Sequence, residues 1–223
     1  MHVIVNAAVS ADGKLSSRRR EQIAISGEAD FERVDRLRAE SDAVVVGVGT
    51  VLADDPHLTV KDPKLRERRL EAGEPEHPAR VVVDSRCRTP ADAAVFDDEA
   101  ETYLCCAAVA PVGRRMDLAD RATLITAGED RVDLLRAFAT LQAEGLERIM
   151  VEGGGELIFS LFEDGLVDEL SLFVGPTIIG GRDAPTLADG EGFVDVDSFP
   201  TLTLESAERL GDGVLLTWRV AGA

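Results

Sequence analysis

Residues 150–162 read MVEGGGELIFSLF. An apolar strand over 147–151 runs into three glycines, and a helix over 156–164 opens at Glu156. Glycines at that junction let backbone N–H groups approach a ligand with no Cβ in the way, and the first turn of the helix adds a partial positive charge. The pattern reads as an anion cradle whose usual occupant is a pyrophosphate, or equally as a tight strand-to-helix turn with no ligand. Leu157 to Phe162 are apolar around most of the helix. Only Glu156, Ser160, Glu163 and Asp164 share a polar stripe, so the helix is largely buried.

Working outward, the same alternation of short apolar runs and helical periodicity continues along the chain. Strands are expected at 2–9, 43–47, 80–84, 102–107, 122–126, 147–151, 168–175, 201–210 and 213–221. Helices are expected at 28–40, 131–143 and 156–164. Leu134, Phe138 and Leu141 form the stripe of the second of these. Gly211-Asp212-Gly213 is a hairpin signal. The fold class is therefore α/β, with a mixed, mostly parallel central sheet flanked by helices and a C-terminal antiparallel hairpin. Residues 61–79, charged and proline-bearing, read as a surface excursion, and 180–199 as a second long loop. With no linker or repeat, residues 1–223 read as a single domain.

The chain has 223 residues and a formal net charge of −18, with 45 % hydrophobic and 4 % aromatic residues. The core is accordingly aliphatic. No apolar run reaches the roughly 18 residues of a membrane span, and MHVIVNAAVSADG lacks the features of a signal peptide. Cys87, Cys105 and Cys106 give neither a disulfide framework nor zinc-ligand spacing, and His2, His57 and His77 are scattered. A reduced, metal-free, cytoplasmic protein is expected. Its acidity excludes nucleic acid and membrane surfaces as partners. The acids are dispersed rather than blocked, which favours adaptation to a salty cytoplasm over one acidic binding face.

Three further stretches carry candidate polar groups. In GVGTVLADDPHLTVK (47–61) a strand runs into Thr50 and Asp54, where parallel sheets place ligands; alternatively Thr50 caps a helix VLADD that Asp55-Pro56 ends. In NAAVSADGK (6–14), Asn6 is a polar residue inside an apolar strand. It is either a substrate partner or an edge-exposed Asn ahead of an ordinary turn. On the helix FERVDRLRAESD, at about 100° per residue, Phe31, Val34 and Leu37 mark the apolar face. Arg38 falls between Phe31 and Val34, whereas Arg33, Arg36 and Glu40 lie opposite. An arginine so placed needs an anionic partner, either a carboxylate of the protein or a substrate phosphate.

Taken in order, SADGK, RLRAESDAVVVGVGTVLADDPHLTV, RVVVDS and VEGGGELIFSLFEDGLVDEL resemble the reductase family of riboflavin biosynthesis over essentially the whole chain. That family includes archaeal and fungal 2,5-diamino-6-ribosylamino-4(3H)-pyrimidinone 5′-phosphate reductases and the reductase half of the bacterial bifunctional deaminase-reductase. The resemblance implies a dihydrofolate-reductase-like fold and NADPH as hydride donor, with NADH as the alternative. It implies cofactor contacts at Thr50, Asp54, Val151, Gly153, Gly154, Gly155, Glu156 and Leu157, with residues up to Ser160 close by. Ser85, beside Arg86, would meet the adenosine end. On the substrate side it points to Asn6, Ala8, Arg38, Leu58, Lys61 and Glu152. Asn6 stands where the bifunctional enzymes usually have Lys, and Lys61 where they often have Arg.

The implied reaction opens the ribosylamine to an imine, which takes hydride at the sugar C1′. Asp54 and Glu152 are the nearest carboxylates for the proton, and water can substitute. The zinc-deaminase signature is missing, so the resemblance favours the diaminopyrimidinone over the deaminated uracil as substrate. The alternatives are reduction of that uracil or of a pteridine, or a non-catalytic nucleotide-binding module. The resemblance also implies a homodimer, and the acidity a salt-loving archaeal source. The apolar run 170–181 and the C-terminal hairpin are the candidate dimer surfaces.

Overall fold

The structure is a computed structural model that describes residues 1–21 and 23–221. In chain order its elements are β1 (His2–Ser10), α1 (Glu28–Ala39), β2 (Ala43–Gly47), α2 (Val48–Asp54), α3 (Pro63–Glu71), β3 (Ala79–Val83), β4 (Thr102–Cys106), α4 (Val112–Ala119), β5 (Thr123–Thr126), α5 (Leu134–Ala143), β6 (Arg148–Gly153), α6 (Gly155–Glu163), β7 (Glu169–Gly175), β8 (Leu202–Leu210) and β9 (Gly213–Val220). They give the α/β class, with nine strands, that the alternation predicts.

The chain falls into two compact units: Met1 with Asp35–Met150, and His2–Val34 with Val151–Ala223. The boundaries cut α1 after Val34 and β6 after Met150.

In the first unit the strands run β5-β4-β3-β2-β6. The pairs β2–β3, β3–β4 and β4–β5 are parallel. Parallel strands covered on both faces need apolar side chains at every position rather than at alternate ones. Val44, Val45, Val46, Val81, Val82 and Leu104 meet that need and are fully buried. Phe96, Leu118 and Val51 close one side of this aliphatic cluster. In the second unit the order is β6-β1-β7-β9-β8. Strand β7 is parallel to β1 and antiparallel to β9, and β9 pairs antiparallel with β8.

Two helices lie where no helical stripe is legible. The expected surface excursion 61–79 contains α3, started by Asp62, whose side chain accepts from the Lys64 N–H at 2.9 Å, with Pro63 next to it. The one buried residue of α3 is Arg69. Its guanidinium donates to the carbonyls of Pro75 (2.8 Å), Ala39 (2.7 Å) and Ser41 (2.9 Å). A helix anchored by an arginine has no apolar periodicity to read. Helix α4 buries only Leu118, and one buried leucine makes no stripe. Helix α5 begins at Leu134 rather than 131, because Asp133 caps it through the Arg136 N–H at 3.0 Å. Among the described residues no helix is long and apolar enough to cross a membrane.

The turn after β1 is tied down by Asp12. Its carboxylate accepts from Ser10 Oγ (2.6 Å) and from the N–H groups of Ile179 (3.0 Å) and Gly180 (2.7 Å). Led by the Ser10 hydroxyl, these bonds lower the Asp12 pKa from 3.8 to about 2. A carboxylate with a depressed folded-state pKa stabilises the fold above its unfolded pKa, and that contribution fades as pH falls through the folded one. The stabilisation is thus complete above about pH 4 and lost between about pH 4 and pH 2. Asp12→Asn should be less stable than wild type at neutral pH, and the gap should close across that window in acid-titrated urea melts.

Candidate active site

The glycines of the opening stretch serve three different purposes. Strand β6 extends to Gly153 and α6 begins at Gly155, so a single residue separates strand from helix. Gly153 holds φ 129°, a backbone conformation that L side chains resist, and its peptide bond to Gly154 is cis. Gly154 is the N-cap, at an extended φ of −86° that any residue adopts, and no side chain caps the helix. Gly155 is hemmed in by the chain itself: a Cβ there would lie 2.5 Å from the Thr186 carbonyl oxygen and 3.0 Å from Asp189 Oδ2. Its own carbonyl accepts from the Asp189 N–H at 3.1 Å. The space that Gly155 clears is therefore filled by residues 186–189 and not left for a ligand. The turn is open at Gly154, which is half-buried, and at Glu156, which is exposed. Val151 and Leu157 are buried, and Glu152 is half-buried. Ser160 Oγ turns back to the Glu156 carbonyl at 3.0 Å.

Strand β1 brings Asn6, Ala8 and Ser10 to one face by the period-two alternation of strands. Asn6 is buried in an interior strand, not edge-exposed, and Ala8 is half-exposed. Asn6 Oδ1 accepts from Arg33 Nη2 at 2.7 Å. Arg33, expected on the outer side of its helix, instead turns inward. Nε bonds Asp30 Oδ1 at 2.8 Å, and Nη1 bonds Ser171 Oγ at 3.0 Å. Phe31, expected on the apolar face, is exposed. The face of α1 that turns inward is therefore lined with charge.

The second half of α1 holds the segment 58–62. Asp35 is buried and accepts from the N–H groups of Lys61 and Asp62, both at 2.7 Å. One turn on, Arg38 Nη1 donates to the Thr59 carbonyl at 3.0 Å. Leu58 is buried at φ 55°, and the Lys61 side chain is exposed. Neither Asp35 nor Arg33 was singled out from the sequence. The available signal was the pair of Asp/Arg combinations, 30/33 and 35/38, each one helical turn apart.

Thr50 lies inside α2, whose N-cap is Gly47, so the reading of Thr50 as a helix cap is overturned. The helix does end where Asp55-Pro56 requires, with Asp55 in the left-handed conformation. Asp54, its last residue, is half-buried, and burial raises its pKa. Ser85 Oγ accepts from the Val132 N–H at 3.0 Å, and Arg86 is exposed beside it. An exposed cluster of His57, Asp97 and Glu99, not read from the sequence, also lies in the first unit. Asp97 is already engaged there, by His57 Nδ1 at 2.9 Å and by the buried Arg80 at 2.6 Å.

The chain has a dihydrofolate-reductase-like fold. It superposes on a pyrimidine reductase-like protein from Corynebacterium diphtheriae with a TM-score of 0.85 at 20 % identity, covering 100 % of this chain and 92 % of that one. It superposes on an Enterococcus faecalis dihydrofolate reductase complexed with NADP(H) with a TM-score of 0.51 at 12 % identity, covering 99 % of this chain and 96 % of that one. 

Within that class the family is specific. The chain belongs to the RibD C-terminal domain family, whose model matches residues 1–216. A relative from Archaeoglobus fulgidus, a 2,5-diamino-6-ribosylamino-4(3H)-pyrimidinone 5′-phosphate reductase, is 48 % identical over 218 residues, or 98 % of this chain and 97 % of its own.

Two glycines in the first turns of helices should respond oppositely to a methyl group. Gly155→Ala forces residues 186–189 away and should cost about 1–3 kcal/mol. Gly49, in α2, has nothing within 4 Å of a Cβ, so Gly49→Ala should gain about 0.5–1 kcal/mol from helix propensity. Urea melts of the two variants check both signs.

Proposed function

We propose that the protein is a riboflavin-pathway reductase, folded as a single domain over 1–223. It converts the ribosyl group of 2,5-diamino-6-ribosylamino-4(3H)-pyrimidinone 5′-phosphate to the ribitylamino product with NADPH. The observation that carries this reading is the end-to-end match to the A. fulgidus reductase, 48 % identical over nearly the full length of both chains.

The residues fit a dinucleotide. Helix α6 opens without a side-chain cap, so its first N–H groups are left to a ligand, and the turn is open at Gly154 and Glu156. These groups hold the pyrophosphate, with Val151, Gly153, Gly155 and Leu157 forming the frame behind them. Thr50 and Asp54 contact the cofactor from α2. Ser85 accepts through Oγ from Val132, which leaves its hydroxyl hydrogen for the adenosine ribose or its 2′-phosphate, next to Arg86. A dihydrofolate reductase of the same fold carries NADP(H), which supports the choice of a nicotinamide. When bound, NADPH supplies hydride to the sugar C1′.

On the substrate side, Arg38 and Lys61 supply positive charge for the 5′-phosphate. Arg38 donates to the Thr59 carbonyl and Asp35 accepts from the Lys61 backbone N–H, so α1 grips the segment that carries Lys61. Asn6, Ala8, Leu58 and Glu152 contact the rest of the molecule. Burial favours the protonated form of Asp54, which suits it to hand over the proton of ring opening.

The net charge of −18 supports a salt-loading archaeal cytoplasm as the setting. A homodimer is supported by the second unit. Strand β8 is the last in its order and is exposed at every residue but Ser206 and Leu210. Leu202, Leu204, Val196 and Phe199 leave apolar surface on and beside it. The run 170–175, by contrast, lies in interior β7, with Leu170 and Phe173 buried, and is not available for docking.

Loss of absorbance at 340 nm on addition of the diaminopyrimidinone substrate tests the activity; turnover of the uracil analogue alone would sink the substrate assignment. Arg38→Ala should raise KM about 10- to 100-fold with NADPH affinity nearly unchanged. Light scattering in molar KCl should give twice the 23.9 kDa chain mass, and Leu204→Glu should halve it.

A further inference from the structure

The cluster around Arg33 fixes which atoms Asn6 and Ser171 have left to offer. An asparagine amide can face a neighbour with either its oxygen or its nitrogen, and only the partner decides. Arginine has donors and no acceptor. Arg33 Nη2 at 2.7 Å therefore forces Oδ1 of Asn6 toward itself, and Nη1 at 3.0 Å makes the Ser171 oxygen an acceptor as well. Asn6 and Ser171 are register partners on β1 and β7, 6 % and 4 % exposed. What remains is the Asn6 NH2 group and the Ser171 hydroxyl hydrogen. No described residue accepts a hydrogen bond from either. Buried side-chain atoms without any partner are confined, among the described residues, to Arg66, Arg80 and Arg115, so the Asn6 nitrogen is not an orphan sealed in the core. The half-exposed Ala8 opens the same face of β1.

We infer that Arg33 is a positioning residue, which holds Asn6 and Ser171 as a pair of neutral hydrogen-bond donors for a neutral oxygen acceptor of the substrate. This rests on the functional reading above. Asp30 bonds Arg33 at 2.8 Å and is itself buried, so the guanidinium charge is already matched and the pair does not select an anion. The fitting acceptors are a sugar hydroxyl or the ring carbonyl, not the phosphate.

Asn6→Asp separates this role from a structural one. Aspartate keeps the acceptor that Arg33 needs and removes the donor. The variant should stay folded and bind NADPH within about twofold of wild type, while kcat/KM falls about 10- to 100-fold, mostly through KM. Wild-type kcat/KM in a folded Asn6→Asp protein overturns the inference. Arg33→Gln, which frees Asn6 to flip, should raise KM about 5- to 20-fold, and Arg33→Lys should recover part of that loss; an unchanged KM in a folded Arg33→Gln protein also overturns it. If neither Asn6→Asp nor Arg33→Gln folds, the cluster is structural and the inference fails. A 2′-deoxyribosyl substrate distinguishes the acceptors: Asn6→Asp loses its effect on that analogue if the 2′-hydroxyl is the partner and keeps it if the carbonyl is. Wild-type turnover is measured first, so that failure of the functional reading is seen separately.

Discussion

Strand β6 must become helix α6 across one residue, and the second unit is arranged around that constraint. A strand and a helix occupy different regions of backbone space, and joining them without a loop demands at least one conformation that side chains resist. Gly153 supplies it at φ 129°. The short junction then brings the start of α6 so close to residues 186–189 that Gly155 has no room for a Cβ. The third glycine is the cap, and it stays accessible. A run of three identical residues thus answers three separate demands: backbone torsion, chain packing and an open helix start. Only the last concerns a ligand.

Helix α1 solves a related problem with charge. Its inward residues include Asp30, Arg33, Asp35 and Arg38, and each is satisfied by named partners rather than by apolar packing. Burying such groups is costly when any partner is missing. Turning either half of the helix would strand one carboxylate and one guanidinium group. Residues that orient a substrate need that kind of rigidity behind them. The same charges that make α1 a weak amphipathic helix make it a firm support.

The strands were legible because their signal is composition: runs such as AVVVG and RVVVD leave few alternatives. The hairpin was legible from its glycines. Helices α3 and α4 were not, because the stripe that marks a helix is absent when its anchor is Arg69 or a single leucine. The stretches that carry Asn6, Thr50 and Glu152, in β1, in the helix after β2 and near the end of β6, could be found from position alone. The partners of those residues could not. A helical wheel treats Arg33 as a point on a circle, whereas its long side chain reaches round from that point to Asn6 and Ser171. Long flexible side chains are where periodicity says least about contact.

The predominance of arginine, with only three lysines among 24 basic residues, has a structural side. Arg69 ties three carbonyls, Arg80 ties Val95 and Asp97, and Arg114 ties Cys87 and Thr89. A planar fork with five donors can satisfy several carbonyls at once, which an ammonium on a flexible stem does less well. Exposed pairs such as Arg219–Glu205 are screened by salt and contribute little. A chain with 4 % aromatic residues has few large side chains to pin its loops. Arginine-to-carbonyl bonds that are partly or fully buried, and so less screened than exposed pairs, tie loops in their place.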